Sequence, residues 1–89
     1  MLVLPSELTH DQARACLQML RQGLGAATGA TVVVDASGLQ AFDSTALAVL
    51  LEVRREALSS GRAFAVQGLT HRLADLAALY GVSELLPAC

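Results

Sequence analysis

Thr31-Val32-Val33-Val34-Asp35 is a β-branched run that ends on an acid, and after a turn-rich linker the chain switches to apolar residues at helical spacing as far as about Leu58. Such a run suits a strand buried on both faces of a sheet, and a helix following it directly marks a βαβ unit. The pattern recurs on either side. Leu2-Val3-Leu4 reads as a short strand stopped by Pro5, whose missing N–H ends a ladder. Ala63-Phe64-Ala65-Val66-Gln67 reads as a third strand, broken by Gly68.

Helical signals fill the intervals. Thr9-His10-Asp11-Gln12 has the form of a capping box, in which the Thr9 hydroxyl accepts from the Gln12 backbone while Gln12 reaches back. Ala13, Cys16, Leu17, Leu20 and Leu24 then share one stripe, so the first helix is expected over about 10–24. Gly23, Gly25 and Gly29, around Ala26-Ala27-Thr28, are expected to supply its stop. The second helix is expected over about 43–59, before Ser60-Gly61. The third starts from a Thr70 N-cap, carries a stripe of Leu73, Leu76, Ala77 and Tyr80, and ends at Gly81. Strand, helix, strand, helix, strand, helix predicts one α/β domain over 1–89, with a short parallel sheet packed by three main helices.

With 54% hydrophobic but only 3% aromatic residues, the core must be built from Leu, Val and Ala. Six basic residues scattered among eight acids give a net charge of −2 and no basic stripe, and a chain with no Trp and one Tyr has little to stack on bases. Nucleic acid is therefore not an expected partner. Cys16 falls at mid-helix spacing and Cys89 is the last residue, neither beside a second thiol or histidine at ligand spacing. No metal centre, redox centre or other cofactor is expected, and both thiols are read as reduced. The first residues lack a charged leader segment, and no apolar stretch is long enough to span a bilayer, so the expected location is cytoplasmic.

The segment Phe42-Asp43-Ser44-Thr45-Ala46-Leu47 lies where the middle strand hands over to its helix, at the sheet edge where α/β proteins usually place functional groups. Asp43 is a favoured helix N-cap and is expected to accept backbone N–H bonds, as is Asp35. On an ideal wheel, Glu52, Arg55, Glu56 and Ser59 form a solvent face, and the apolar remainder spans roughly 200° with Arg54 near its middle. Either neighbouring helices cover that whole arc, or part of it, with Leu47 and Leu51 beside Ser44, is an apolar patch for a protein partner. A catalytic reading finds little support. Ser44 has no Gly-x-Ser-x-Gly elbow, His10 and His71 read as exposed helix starts, and Asp35 with Asp43 lacks the phosphate loop that usually accompanies a magnesium site.

Val33-Val34-Asp35-Ala36-Ser37-Gly38-Leu39, Phe42-Asp43-Ser44-Thr45-Ala46-Leu47 and its continuation to Leu51, Gly61-Arg62-Ala63-Phe64 and Leu79-Tyr80-Gly81-Val82 together resemble a STAS domain, the module shared by sulfate transporters and anti-sigma factor antagonists. The resemblance spans about residues 2–86, and Asp-Ser-Thr-x-Leu at Asp43–Leu47 is its most specific part. It looks most similar to the small accessory subunits of Mla-type phospholipid ABC transporters, which maintain outer-membrane lipid asymmetry. That likeness implies a non-enzymatic protein that binds a transporter ATPase and meets the membrane only through it. Ser44 and Thr45 are then polar contacts, Leu47 and Leu51 their apolar neighbours, and Asp43 the residue that fixes the loop, with Arg54 and Arg55 as further candidates. In the anti-sigma factor antagonists the matching serine is phosphorylated by a partner kinase, which makes Ser44 a possible phosphorylation site and a serine kinase the alternative partner. Two departures stand out. Ala46 occupies a position where many members have Gly, and only one strand is expected before the first helix, an abbreviation that favours the transporter subunit.

Overall fold

A computed structural model describes residues 1–26 and 29–88. Its elements run β1 (Leu2–Val3), β2 (Glu7–Leu8), α1 (Ala13–Ala26), β3 (Thr31–Asp35), β4 (Ala41–Phe42), α2 (Thr45–Ser59), β5 (Ala63–Gln67) and α3 (His71–Leu79), followed by a 3-10 turn at Ser83–Leu85. β1, β3 and β5 form a parallel sheet in that order, with Leu2 level with Val34 and Val34 level with Val66. The expected α/β alternation with three helices is present.

One face of this sheet supplies Leu2, Val32, Val34, Phe64 and Val66 to a core completed by Leu20 of α1, Leu50 and Val53 of α2, and Leu73 of α3. The alternate residues are Val3, 56% exposed, with Val33 and Ala65 half-buried. The expectation that β3 is buried on both faces is thus corrected: its pattern alternates, because the core lies on one side only.

Two strands precede α1 where one was expected. Pro5 does end β1, after the Leu4 N–H has donated to Asp35 O at 2.9 Å. The chain nevertheless stays alongside its neighbour, and the Ser6 carbonyl accepts from Gln40 and Ala41 at 2.8 and 3.0 Å. Beyond that break β2 pairs with β4 in a second small parallel sheet, so the end of the stretch expected to be a linker is strand. The expected abbreviation of the N-terminal segment, and the preference drawn from it, falls with this observation.

α1 begins later and ends later than expected. Thr9 N–H and the Thr9 hydroxyl both donate to Gln12 Oε1, at 2.8 and 2.6 Å, while the Gln12 N–H donates to the Thr9 carbonyl. The Gln12 half of the capping box forms, and the hydroxyl half is replaced by a turn over 9–12. Gly23 and Gly25 lie inside the helix. A Cβ on Gly23 would come within 2.5 Å of Leu2 Cδ2, so this glycine lets α1 settle onto β1 instead of stopping the helix. Part of the expected stop falls on residues 27 and 28, which with Cys89 lie outside the described residues.

Thr70 caps α3 as expected, its Oγ1 accepting from the Leu73 N–H at 3.3 Å. The helix ends at Leu79, so Tyr80 leaves the apolar stripe and is 59% exposed. Downstream, the Pro87 carbonyl accepts from the Val66 N–H at 2.8 Å and Ala88 bridges to Val66 in parallel, which covers part of the outer edge of β5.

Candidate functional site

The site is built where β4 meets α2. Asp43 Oδ1 accepts the Thr45 N–H at 2.8 Å, and Oδ2 accepts the His10 N–H at 3.3 Å, tying the entry of α2 to the turn before α1. Hydrogen bonds from the Thr45 side chain and then its backbone hold the Asp43 carboxyl below its ordinary value, with His10 adding a smaller share. Asp35 makes a similar local turn with the Ser37 N–H at 2.9 Å, and Ser37 likewise lowers its pKa. Both carboxylates are occupied by backbone N–H groups. Among the described residues, no group of three or more His, Cys, Asp and Glu is placed to hold a metal ion.

Ser44 is the N-cap residue of α2 by position, yet its backbone is already helical (φ −61, ψ −16) and its side chain makes no capping bond. The capping work has passed to Asp43. Ser44 is therefore exposed, and among the described residues its hydroxyl has no hydrogen-bond partner. Thr45 is half-buried beside it.

Next to Ser44 lies a shallow groove of about 270 Å³ between α2 and the end of α3, lined by Ser44, Leu47, Ala48, Leu51, Tyr80 and Val82. Leu51 is half-buried on its wall. Leu47 departs from the patch reading: at 4% exposure it is a core residue that forms the groove's floor and does not project from it. The wide apolar arc of α2 is thus mostly consumed by the core, through Ala46, Leu47, Val49, Leu50, Val53 and Ala57, with Ala48, Leu51 and Leu58 left accessible to different degrees. Ala48, Tyr80 and Val82 were not expected at the site from the sequence. The signal for them was three-dimensional, since Gly81 (φ +73) turns the chain after α3 and swings Tyr80 and Val82 toward α2.

The face of α2 expected to be wholly solvated is partly used. Arg21 of α1 donates to Glu56 at 2.7 Å and to Glu52 at 3.3 Å, and Arg55 also pairs with Glu52. These bonds make Glu52 a better acid and Arg21 and Arg55 stronger bases, hydrogen bonding being the largest cause in each case. Arg54 is half-buried, with its backbone on the opposite side of that network. Elsewhere, His71 is exposed and lies 3.2 Å from Asp75, while Cys16 is a buried free thiol whose pKa burial pushes up. Among the described residues, no helix is long and apolar enough to cross a membrane.

This arrangement offers binding surface: an accessible hydroxyl, a rigid helix entry and an apolar groove. No curated protein matches the chain. The family described as "Mlab, STAS domain" matches residues 1–87. That match covers both ends of the small parallel sheet, all three helices and the Asp43–Leu47 segment. The chain belongs to the STAS domain family, in its MlaB-like branch, whose members are in general non-enzymatic modules of protein–protein interaction.

Proposed function

We propose that this chain is an accessory subunit of a phospholipid-transporting ABC system, docking on its ATPase at the cytoplasmic side and contributing binding energy and no bond chemistry. The observation that carries the reading is the pairing of an exposed Ser44 hydroxyl, without a hydrogen-bond partner among the described residues, with the apolar groove of Leu47, Ala48, Leu51, Tyr80 and Val82 at the entry of α2. A rigid apolar pocket beside a few polar groups is how protein interfaces concentrate affinity. Ser44 and Thr45 supply the polar contacts, Leu51 and Tyr80 the apolar ones, and Leu47 supports them from beneath. Asp43 holds the geometry through its bonds to Thr45 and His10. Membrane association is indirect, through the transporter.

The test is co-expression with the ATPase of a phospholipid-transporting ABC system from the same organism, followed by purification through a tag on the chain. Recovery of the ATPase, lost with Leu51→Asp in a variant whose circular dichroism is unchanged, supports the reading. Absence of the ATPase from the wild-type preparation overturns it. The same exposed hydroxyl favours a second reading, an anti-sigma factor antagonist switched by phosphorylation of Ser44, because a kinase needs that oxygen accessible. A phosphate there would face the neighbouring Asp43 carboxylate and introduce charge into an apolar contact. A mass increase of one phosphate after incubation with a cognate serine kinase, absent in Ser44→Ala, identifies that alternative.

A further inference from the structure

A second groove, of about 370 Å³, runs along the other flank of α2 and separates it from α1. Its floor is apolar, from Ala13, Leu17, Ala48 and Val49, and its rim carries Arg14, Gln18 and Arg21 of α1 with Thr45 of α2. Ala48 lines this groove and the Ser44 groove alike. Its single methyl leaves only a low ridge between them, so one macromolecular surface laid across the start of α2 enters both.

The two rim arginines are electrically unlike. Arg21 is neutralised by Glu56 and Glu52, at 2.7 and 3.3 Å. Arg14, two helical turns earlier on the same stripe, is exposed and among the described residues has no ion pair or side-chain hydrogen bond. We infer that the partner docked at Ser44 also enters the α1–α2 groove, seating an apolar side chain over Ala48 and presenting a carboxylate, from Asp or Glu, to Arg14. This inference rests on the docking reading above and adds the chemistry of the partner. A guanidinium that no acid among the described residues pairs with is complemented by an anion, and a planar carboxylate matches its fork. An anionic membrane surface fits less well, because such recognition uses clusters of several basic residues, whereas the rim of this groove carries two arginines, of which Arg21 is already paired with Glu52 and Glu56, on a chain of net charge −2.

The experiment titrates the same organism's purified phospholipid-transport ABC ATPase with the wild-type chain, Arg14→Gln, Arg14→Glu and Leu51→Asp, at low and high salt, with thermal unfolding as the control for folding. Arg14 is exposed, so its variants are expected to unfold with the wild type. At about 0.05 M salt, Arg14→Gln is expected to weaken binding roughly fivefold and Arg14→Glu more than about tenfold, and the gap to wild type should narrow at about 0.5 M as the charges are screened. Arg14→Glu binding within about twofold of wild type, while Leu51→Asp abolishes it, overturns the carboxylate contact and leaves the docking reading intact. A loss that persists undiminished at high salt overturns it too, since a contact made by an arginine on the solvent-exposed rim is screened. Failure of the wild type to bind the ATPase removes the docking reading and this inference together. Vesicles containing phosphatidylglycerol form the final arm, and Arg14-dependent binding to them in the absence of the ATPase refutes a protein carboxylate as the occupant.

Discussion

Leu47 and Leu51 are one turn apart on α2 and chemically identical, yet shortening them to alanine is expected to have separable consequences. Leu47 is 4% exposed and packed in the core, so Leu47→Ala empties space that the sheet and helices around it close only in part. Buried Leu→Ala substitutions remove about 2–5 kcal/mol, and taking about 3 kcal/mol here gives a fall in Tm of about 12–24 °C for a domain of this size. Leu51 is half-buried on an open groove wall, where truncation leaves no enclosed void, and its stability loss is expected to stay near about 1 kcal/mol or below. For binding, the order reverses once folding is accounted for. A leucine whose remaining surface is covered only by the partner should lose about 1.4 kcal/mol or more, a tenfold rise in Kd. Thermal and urea unfolding followed by circular dichroism read the first quantity, and titration of the ATPase well below the Tm of each variant reads the second. If Leu51→Ala destabilises as much as Leu47→Ala, or leaves Kd unchanged while Leu47→Ala raises it in a fully folded sample, the assignment of floor and wall is wrong.

Two further outcomes test the loops that present the site. Gly68 has φ +69 and a Cβ there would lie 2.6 Å from Ser37 Cβ and 3.1 Å from Ser37 Cα, whereas Gly61 has φ +79 with open space around it; Gly68→Ala should therefore lower Tm clearly more than Gly61→Ala, and equal effects would refute the close approach to Ser37. The Asp43 carboxyl is held below its ordinary value of 3.8, so its contribution is fully present above that value and is lost as pH falls through the lower folded pKa; the stability gap between wild type and Asp43→Asn, read by urea unfolding, should be constant near neutrality and narrow below about pH 4, and a gap that does not change on acidification would contradict the hydrogen bonds to Thr45 and His10.

What could be read from the chain was what neighbouring residues decide among themselves. The β-branched Thr31–Asp35 run, the Thr70 cap and the turn formed by Asp43 and Thr45 depend on contacts a few residues apart, and each is present. The departures come from distant contacts. Gly23 reads as a stop until Leu2 of β1 is found against it, and 36–41 reads as a linker until β4 meets β2. Leu47 shows the same limit at the site. A helical wheel places it beside Leu51 and the Ser44 side, but only the packing of α2 on the sheet and α3 decides which leucine is buried and which lines the groove. The wheel also merged the two flanks of α2, whereas α1 on one side and the Tyr80–Val82 turn on the other make them two grooves divided by Ala48.

The one-sided sheet has a practical corollary. Because Val3, Val33 and Ala65 contribute no fully buried side chain, that side should accept polar or bulky replacements that the helical side would reject, with Ala63 and Gln67 as exposed starting points. A fluorophore, spin label or surface tether placed there would stand behind the sheet from Ser44, reporting on or immobilising the domain without occluding either flank of the middle helix.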